Sequence, residues 1–191
     1  MRLLFIDVET YSARDLAREG RYLYADHCEI LIVAYALNDF TVLCWVPAYG
    51  EPLPRLLKDR LECEEIKIVA HNAQFEKAVF ESPHAKKLGF PKISSYRYIC
   101  TMALAAALAL PRSLDSVAQA LNLSSEYHKD RKGKNLINRF CKPRNPTKYD
   151  KRTRRRMEKN DSYSRDFVDY CVQDVEVERA VWDKIGKFYE F

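Results

Sequence analysis

The chain of 191 residues has 32 basic and 27 acidic side chains, a formal net charge of +5, and 47% of its residues are hydrophobic. This is the composition of a globular domain with a full hydrophobic core, and we predict a single domain over residues 1–191. Five glycines in no phosphate-loop pattern argue against a glycine-rich nucleotide site, and no apolar run is long enough for a membrane span.

The predicted elements follow an α/β order, with three strands first, then alternating helices and strands, then helices. Asn38-Asp39 separates two strands that we expect to pair in antiparallel fashion, and Ser113 is the predicted N-cap of a helix. The predicted strands are 2–8, 31–37, 42–46, 66–70 and 94–99, and the predicted helices are 52–61, 73–81, 101–109, 114–121 and 164–189.

Three short acidic motifs occur at the ends or within the faces of these elements. Asp7-x-Glu9 closes the first strand, Glu76 follows the strand 66–70, and Tyr170-x-x-x-Asp174 lies on one face of the last helix. Four carboxylates that converged from such distant parts of the chain would repel one another strongly unless cations lay between them. The motifs therefore predict a divalent metal site of the kind that nucleases use.

In this order the motifs resemble the DEDD superfamily of 3′–5′ exonucleases, in its DEDDy branch, where a tyrosine precedes the last aspartate by four positions. A closer likeness, to the proofreading domain of family A DNA polymerases and particularly those of bacteriophages, is carried by residues 70–76, 110–114 and 170–178. The superfamily usually has aspartate in the second motif, and this chain has Glu76 there, with its carboxylate about one bond length further out.

The resemblance implies a ribonuclease-H-like fold, with a five-stranded mixed sheet flanked by helices. It also implies two divalent cations, Mg²⁺ or Mn²⁺. Asp7 would bridge both cations, Glu9 and Asp174 would complete the one that activates water, and Glu76 would act on the other through water. Tyr170 would orient the attacking water.

Candidate substrate contacts lie beside the motifs and in a basic segment, residues 129–160. Thr10 and Tyr11 follow the first motif, and Asn72 either contacts the substrate or caps the next helix, the cap being favoured. Between Lys129 and Lys159 the chain has 14 basic and 3 acidic residues, a net charge of +11, whereas the remainder has −6. We interpret the basic segment either as an arm that binds phosphates, with Arg154, Arg155 and Arg156 as contacts, or as a mobile, solvated insertion. The two interpretations are compatible.

The predicted function is a metal-dependent 3′–5′ exodeoxyribonuclease for single-stranded or mismatched DNA 3′ ends, in proofreading or DNA processing. Candidate partners besides DNA are a polymerase domain or a replisome protein, and no membrane is expected. The alternatives are an exoribonuclease of the same superfamily and a catalytically silent DNA-binding module. Six cysteines without a Cys-x-x-Cys pair, and no signal peptide, favour the reducing cytoplasm of a bacterial or phage-infected cell.

Overall fold

A five-stranded mixed sheet forms the centre of the computed structural model, which describes residues 1–124 and 131–189. The strand order is β3-β2-β1-β4-β5. Strands β1 and β2, and β2 and β3, pair antiparallel, whereas β4 runs parallel to both β1 and β5. This confirms the predicted five-stranded mixed sheet. The strands are Arg2–Tyr11 (β1), Glu29–Leu37 (β2), Leu43–Trp45 (β3), Ile66–Ala70 (β4) and Tyr98–Cys100 (β5).

Helices cover both faces of the sheet, and all five predicted helices are present with shifted ends. Ser113 caps its helix as predicted, since its Oγ accepts a hydrogen bond from the backbone N–H of Ser116 at 3.2 Å. The helices are Leu16–Glu19 (α1), Arg21–Asp26 (α2), Arg55–Glu62 (α3), Gln74–Phe80 (α4), Pro83–Leu88 (α5), Thr101–Ala107 (α6), Leu114–Ala120 (α7), Arg131–Phe140 (α8) and Ser162–Ile185 (α9). No helix among the described residues is long and apolar enough to cross a membrane.

The alternation of side chains along β1 decides which face holds the acidic motif. Leu4, Ile6 and Val8 point into a core shared with α3, α4 and α5. Phe5 points the other way, into the core that α8 and α9 complete. Because successive side chains of a strand alternate between its faces, Asp7 and Glu9 fall on the face with Phe5.

Helix α9 is placed on that face by an apolar stripe with helical spacing. Phe167, Cys171 and Val175, at i, i+4 and i+8, are fully buried against the sheet. Asp161 caps the helix by accepting a hydrogen bond from the backbone N–H of Ser164 at 3.0 Å. The stripe brings the adjacent position, Asp174, towards the centre of the sheet.

Several elements differ from the sequence prediction. The predicted strand 94–99 is only three residues long, because Ser95–Arg97 forms a 3-10 turn before β5. Helix α8 covers residues 131–140, the first described residues of the basic segment, where no helix was predicted, and it buries Leu136 and Phe140. Residues 129 and 130 of that segment lie outside the described residues.

Candidate active site

Three of the four predicted metal-binding carboxylates come together between β1 and α9. Single oxygen atoms of Asp7, Glu9 and Asp174 all lie within 4.8 Å of one another. Asp7 and Glu9 are partly exposed, whereas Asp174 has only 6% of its surface accessible. Three carboxylates this close repel one another, and oxygen donors of this kind are those that Mg²⁺ and Mn²⁺ prefer. The residues therefore fit a divalent cation.

Glu76 lies deeper, in the first turn of α4, and is not a member of that group of three. Its side chain is 3% exposed, and its Oε2 has no hydrogen-bond partner among the residues that the structure describes. Burial, and secondarily the charge of Asp7, raise the pKa of the Glu76 carboxyl well above its ordinary value. A buried oxygen without a hydrogen-bond partner is a position where a water molecule or another ligand can bind.

A fifth carboxyl group, Glu178, was not identified from the sequence. It lies one turn after Asp174 on α9, is 2% exposed, and accepts a hydrogen bond from Thr101 Oγ1 at 3.0 Å. Burial raises its pKa, the hydrogen bond from Thr101 opposes that rise, and the charge of Asp7 adds to it. Its i, i+4 spacing from Asp174 is the sequence signal that could have identified it.

Two cysteine thiols contact the carboxylates directly, which the sequence did not predict. Cys171 Sγ lies 3.3 Å from Asp7 Oδ2, and Cys141 Sγ lies 3.5 Å from Glu9 Oε2. Burial is the largest cause of the raised pKa of both thiols, so both stay protonated and donate to the carboxylates. These contacts orient two of the three clustered carboxylates.

Tyr170 lies one helical turn before Asp174 on α9 and is half-buried. Its ring stacks on that of Phe167, with 6.2 Å between the centroids and 16° between the planes. The i, i+4 spacing predicted from the sequence therefore places the phenol and the Asp174 carboxylate on one face of the helix.

The predicted substrate contacts beside the first motif are engaged within the protein. Thr10 is buried, and its Oγ1 forms a 2.9 Å hydrogen bond with the hydroxyl of Tyr24. The guanidinium of Arg154 lies 3.8 Å from the centre of the Tyr11 ring and pairs with Glu29 at 2.5 Å. Arg154 and Tyr11 thus hold the basic segment to β1 and β2, and Thr10 stabilises the core. Substrate contacts by these three residues stay predictions.

The remaining predicted contacts are more accessible. Asn72 is not the helix cap that the sequence favoured, because Ala73 occupies the N-cap position of α4 and no side chain caps it. Asn72 instead adopts a left-handed backbone conformation, with φ of 81°, at the end of β4. Arg155 and Arg156 are exposed.

Residues 29–190 match a family model described as a 3′–5′ exonuclease, of the family A DNA polymerase type. The chain belongs to this 3′–5′ exonuclease family. Members of this family are hydrolases that act on nucleic acids, so the match confirms the predicted resemblance and the predicted enzyme class. The family implies the use of divalent metal ions, which the cluster of Asp7, Glu9 and Asp174 fits. The exonuclease is 39% identical, over 98% of its length, to the DNA polymerase of Bacillus phage SP02, and it spans 28% of that polymerase.

Solved structures share the fold at low sequence identity. A nuclease in its apo form has a TM-score of 0.57 at 14% identity, and the match covers 97% of the exonuclease and 72% of that chain. The family B DNA polymerase of Pyrobaculum calidifontis has a TM-score of 0.56 at 16% identity, and the match covers 98% of the exonuclease and 25% of the polymerase. These similarities confirm the ribonuclease-H-like fold.

Proposed function

We propose that the protein is a divalent-cation-dependent 3′–5′ exodeoxyribonuclease that removes nucleotides from single-stranded or mismatched DNA 3′ ends. The observation that supports this most directly is the convergence of Asp7, Glu9 and Asp174 within 4.8 Å. The DNA polymerase of Bacillus phage SP02, which matches over nearly the whole chain, supports DNA as the substrate and proofreading as the role.

Two cations, Mg²⁺ or Mn²⁺, are the proposed cofactors. Asp7, Glu9 and Asp174 would supply oxygen donors. The buried Glu76 carboxyl, whose Oε2 has no hydrogen-bond partner among the described residues, would supply a further one. When bound, divalent cations would offset the repulsion between these carboxylates and stabilise the charge that develops on the phosphodiester. The thiols of Cys171 and Cys141 donate hydrogen bonds to Asp7 and Glu9 and keep these two carboxylates oriented for metal binding.

Tyr170 is the proposed water-orienting residue. Tyr170 lies one turn before Asp174 on α9, and its phenol offers a hydroxyl group for hydrogen bonding. A phenol there can hydrogen-bond the attacking water and align it with the phosphorus, which is a contribution of orientation.

A silent binding module would have no use for a repulsive cluster of carboxylates such as Asp7, Glu9 and Asp174, so this cluster argues for an enzyme.

We propose that the whole chain of residues 1–191 is one exonuclease domain. Within it, the basic segment is the proposed contact for the DNA backbone. Arg155 and Arg156 are exposed for phosphate contacts. Tyr149 is 93% exposed, and Tyr163 is half exposed beneath the guanidinium of Arg139 at 4.0 Å, so both offer aromatic faces for base stacking. A polymerase domain is the proposed partner.

The test is degradation of 5′-labelled single-stranded DNA and a matched RNA in Mg²⁺, Mn²⁺ or chelator. We expect a metal-dependent ladder that shortens DNA from its 3′ end. Asp7→Asn should abolish this ladder while DNA binding is kept. Asp166→Asn, which removes an exposed charge from α9, should leave the ladder intact.

Other outcomes would redirect the proposal. A ladder on RNA alone would make the protein an exoribonuclease. Full activity of Asp7→Asn, or cleavage that persists in chelator, would refute the metal assignment. Binding of DNA without cleavage in any metal would favour the silent module.

A further inference from the structure

Helix α8 lies directly against the ring of Tyr170 at a buried glycine. A Cβ atom placed on Gly133 would lie 2.2 Å from Cε2 and 2.7 Å from Cδ2 of Tyr170, and 3.1 Å from its Cζ. Carbon atoms in contact normally lie about 3.5–4.0 Å apart, so no side chain fits between the helix and the ring. The close approach of α8 to the tyrosine therefore requires glycine at position 133.

The same helix also contacts the tyrosine through two stacked phenylalanines. Phe140 of α8 stacks on Phe167, with 5.4 Å between centroids and 19° between planes. Phe167 in turn stacks on Tyr170. Phe140 and Phe167 are almost completely buried, so neither ring has room to shift if the tyrosine is pushed. Tyr170 is thus packed against α8 directly at Gly133 and indirectly through Phe167.

Glycine is unexpected at position 133, because the residue lies within helix α8. Glycine weakens a helix relative to alanine, because it loses more backbone freedom on folding and has no side chain to pack. Gly133 has a negative φ, so no left-handed backbone conformation calls for it. The contact with Tyr170 supplies the reason for glycine here.

We propose that Gly133 is a positioning residue for Tyr170, and that α8 fixes the direction of the tyrosine hydroxyl. This rests on the proposed role of Tyr170 in orienting water. Helix α8 then contributes to the catalytic centre, although from the sequence we interpret its segment as a DNA-binding arm or a solvated insertion. A side chain at position 133 would move the ring and with it the hydroxyl.

The test substitutes Gly133→Ala in the wild-type chain and in a Tyr170→Ala chain, where the ring is gone. In the wild type we expect kcat on labelled single-stranded DNA to fall at least tenfold. KM and the affinity for Mn²⁺, titrated by electron paramagnetic resonance, should change less than twofold, because the carboxylates stay in place. In the Tyr170→Ala chain the same substitution should cost no further activity.

Thermal unfolding gives a readout that is independent of catalysis. Gly133→Ala should lower the midpoint of the wild type through the clash, and should raise it in Tyr170→Ala, where only the better helix propensity of alanine counts. Asp183→Ala, at an exposed position of α9 outside the basic segment, is the control and should leave kcat unchanged and not lower the midpoint.

Three results would overturn the inference. The first is a kcat within twofold of wild type in Gly133→Ala. The second is an equal loss of activity or of stability from Gly133→Ala in both backgrounds. The third is full activity of Tyr170→Ala, which would also remove Tyr170 from the proposed mechanism. Loss of activity in Tyr170→Ala together with an unaffected Gly133→Ala would overturn the positioning role alone and leave the proposed function standing.

Discussion

Replacing Asp174 with asparagine should stabilise the metal-free protein while removing its response to metal. Two unit charges at 4.8 Å, the distance within which the three oxygen atoms all lie, repel by about 0.9 kcal/mol in bulk water and by about 3.5 kcal/mol at an effective dielectric constant of 20. Asp7 and Glu9 are partly exposed, so screening by water favours the lower value. Asparagine at position 174 removes two of the three repulsions and keeps the shape of the side chain. We therefore expect a gain of about 2 kcal/mol, from two repulsions of about 0.9 kcal/mol each.

Thermal unfolding in chelator and in Mg²⁺ measures both effects. For a chain of this length a gain of 2 kcal/mol corresponds to a rise of about 4–8 °C in Tm. Wild type should gain stability when Mg²⁺ is added, because binding to the folded state alone stabilises it, and Asp174→Asn should not. Asp166→Asn removes a charge from an exposed position of α9 and should behave as wild type in both conditions.

The reasoning would be refuted if Asp174→Asn lowered Tm in chelator as much as a substitution in the core. It would also be refuted if Mg²⁺ raised the Tm of the variant as much as that of wild type. The first result would show that Asp174 stabilises the fold through its charge. The second would show that the cation binds elsewhere.

Three further predictions concern the buried acid, a thiol and the basic segment. The pKa of Glu76 is raised in the folded state, so above its ordinary value of 4.5 the folded protein binds more protons than the unfolded one, and stability falls as the pH rises. Glu76→Gln should therefore exceed wild type in free energy of unfolding at pH 8 in chelator, by about 1.4 kcal/mol per pKa unit, and match it near pH 4 in urea titrations. Cys171→Ala should raise the Mg²⁺ concentration for half-maximal activity about fivefold, the value of one lost hydrogen bond to Asp7, whereas Cys171→Ser should not. Replacing both Arg155 and Arg156 with alanine should reduce the slope of log binding constant against log salt concentration by about two, as measured by fluorescence anisotropy. The kcat at saturating DNA should stay unchanged. An unaltered slope would make the segment a surface for something other than DNA.

The larger elements of the fold could be predicted because their sequence patterns are long. The bounds of β4 match to the residue, and α9 is found from an apolar period that runs over more than twenty positions. Helices α1 and α2 span four and six residues, which is too short for a helical period to stand out. Helix α8 was missed because its surroundings are dominated by charge, while only Leu136, Phe140 and their spacing indicate a buried face.

The parts of the site that depend on residue type could be predicted from the sequence. The parts that depend on which side chains meet in the fold could not. Asp7, Glu9 and Asp174 could be predicted because their motifs occur together, in the order found in a known exonuclease superfamily, although each motif alone is weak. The thiols of Cys141 and Cys171 look like ordinary core residues in sequence, and only the fold brings them to the carboxylates.

The structure explains how a cluster of like charges can be built into the centre of a small domain. The apolar stripe of Phe167, Cys171 and Val175 anchors α9 on the sheet, so packing holds Asp174 near β1 against the electrostatic repulsion. The thiols and Thr101 then donate hydrogen bonds to the carboxyl groups that lie nearest, Asp7, Glu9 and Glu178, which lowers the cost of burying them. What these donors leave uncompensated is the mutual repulsion of the carboxylates and the unsatisfied oxygen of Glu76, and the proposed cations would relieve both. On this proposal the repulsion that destabilises the metal-free protein also favours metal binding, so a variant that gains stability at this site should lose affinity for metal.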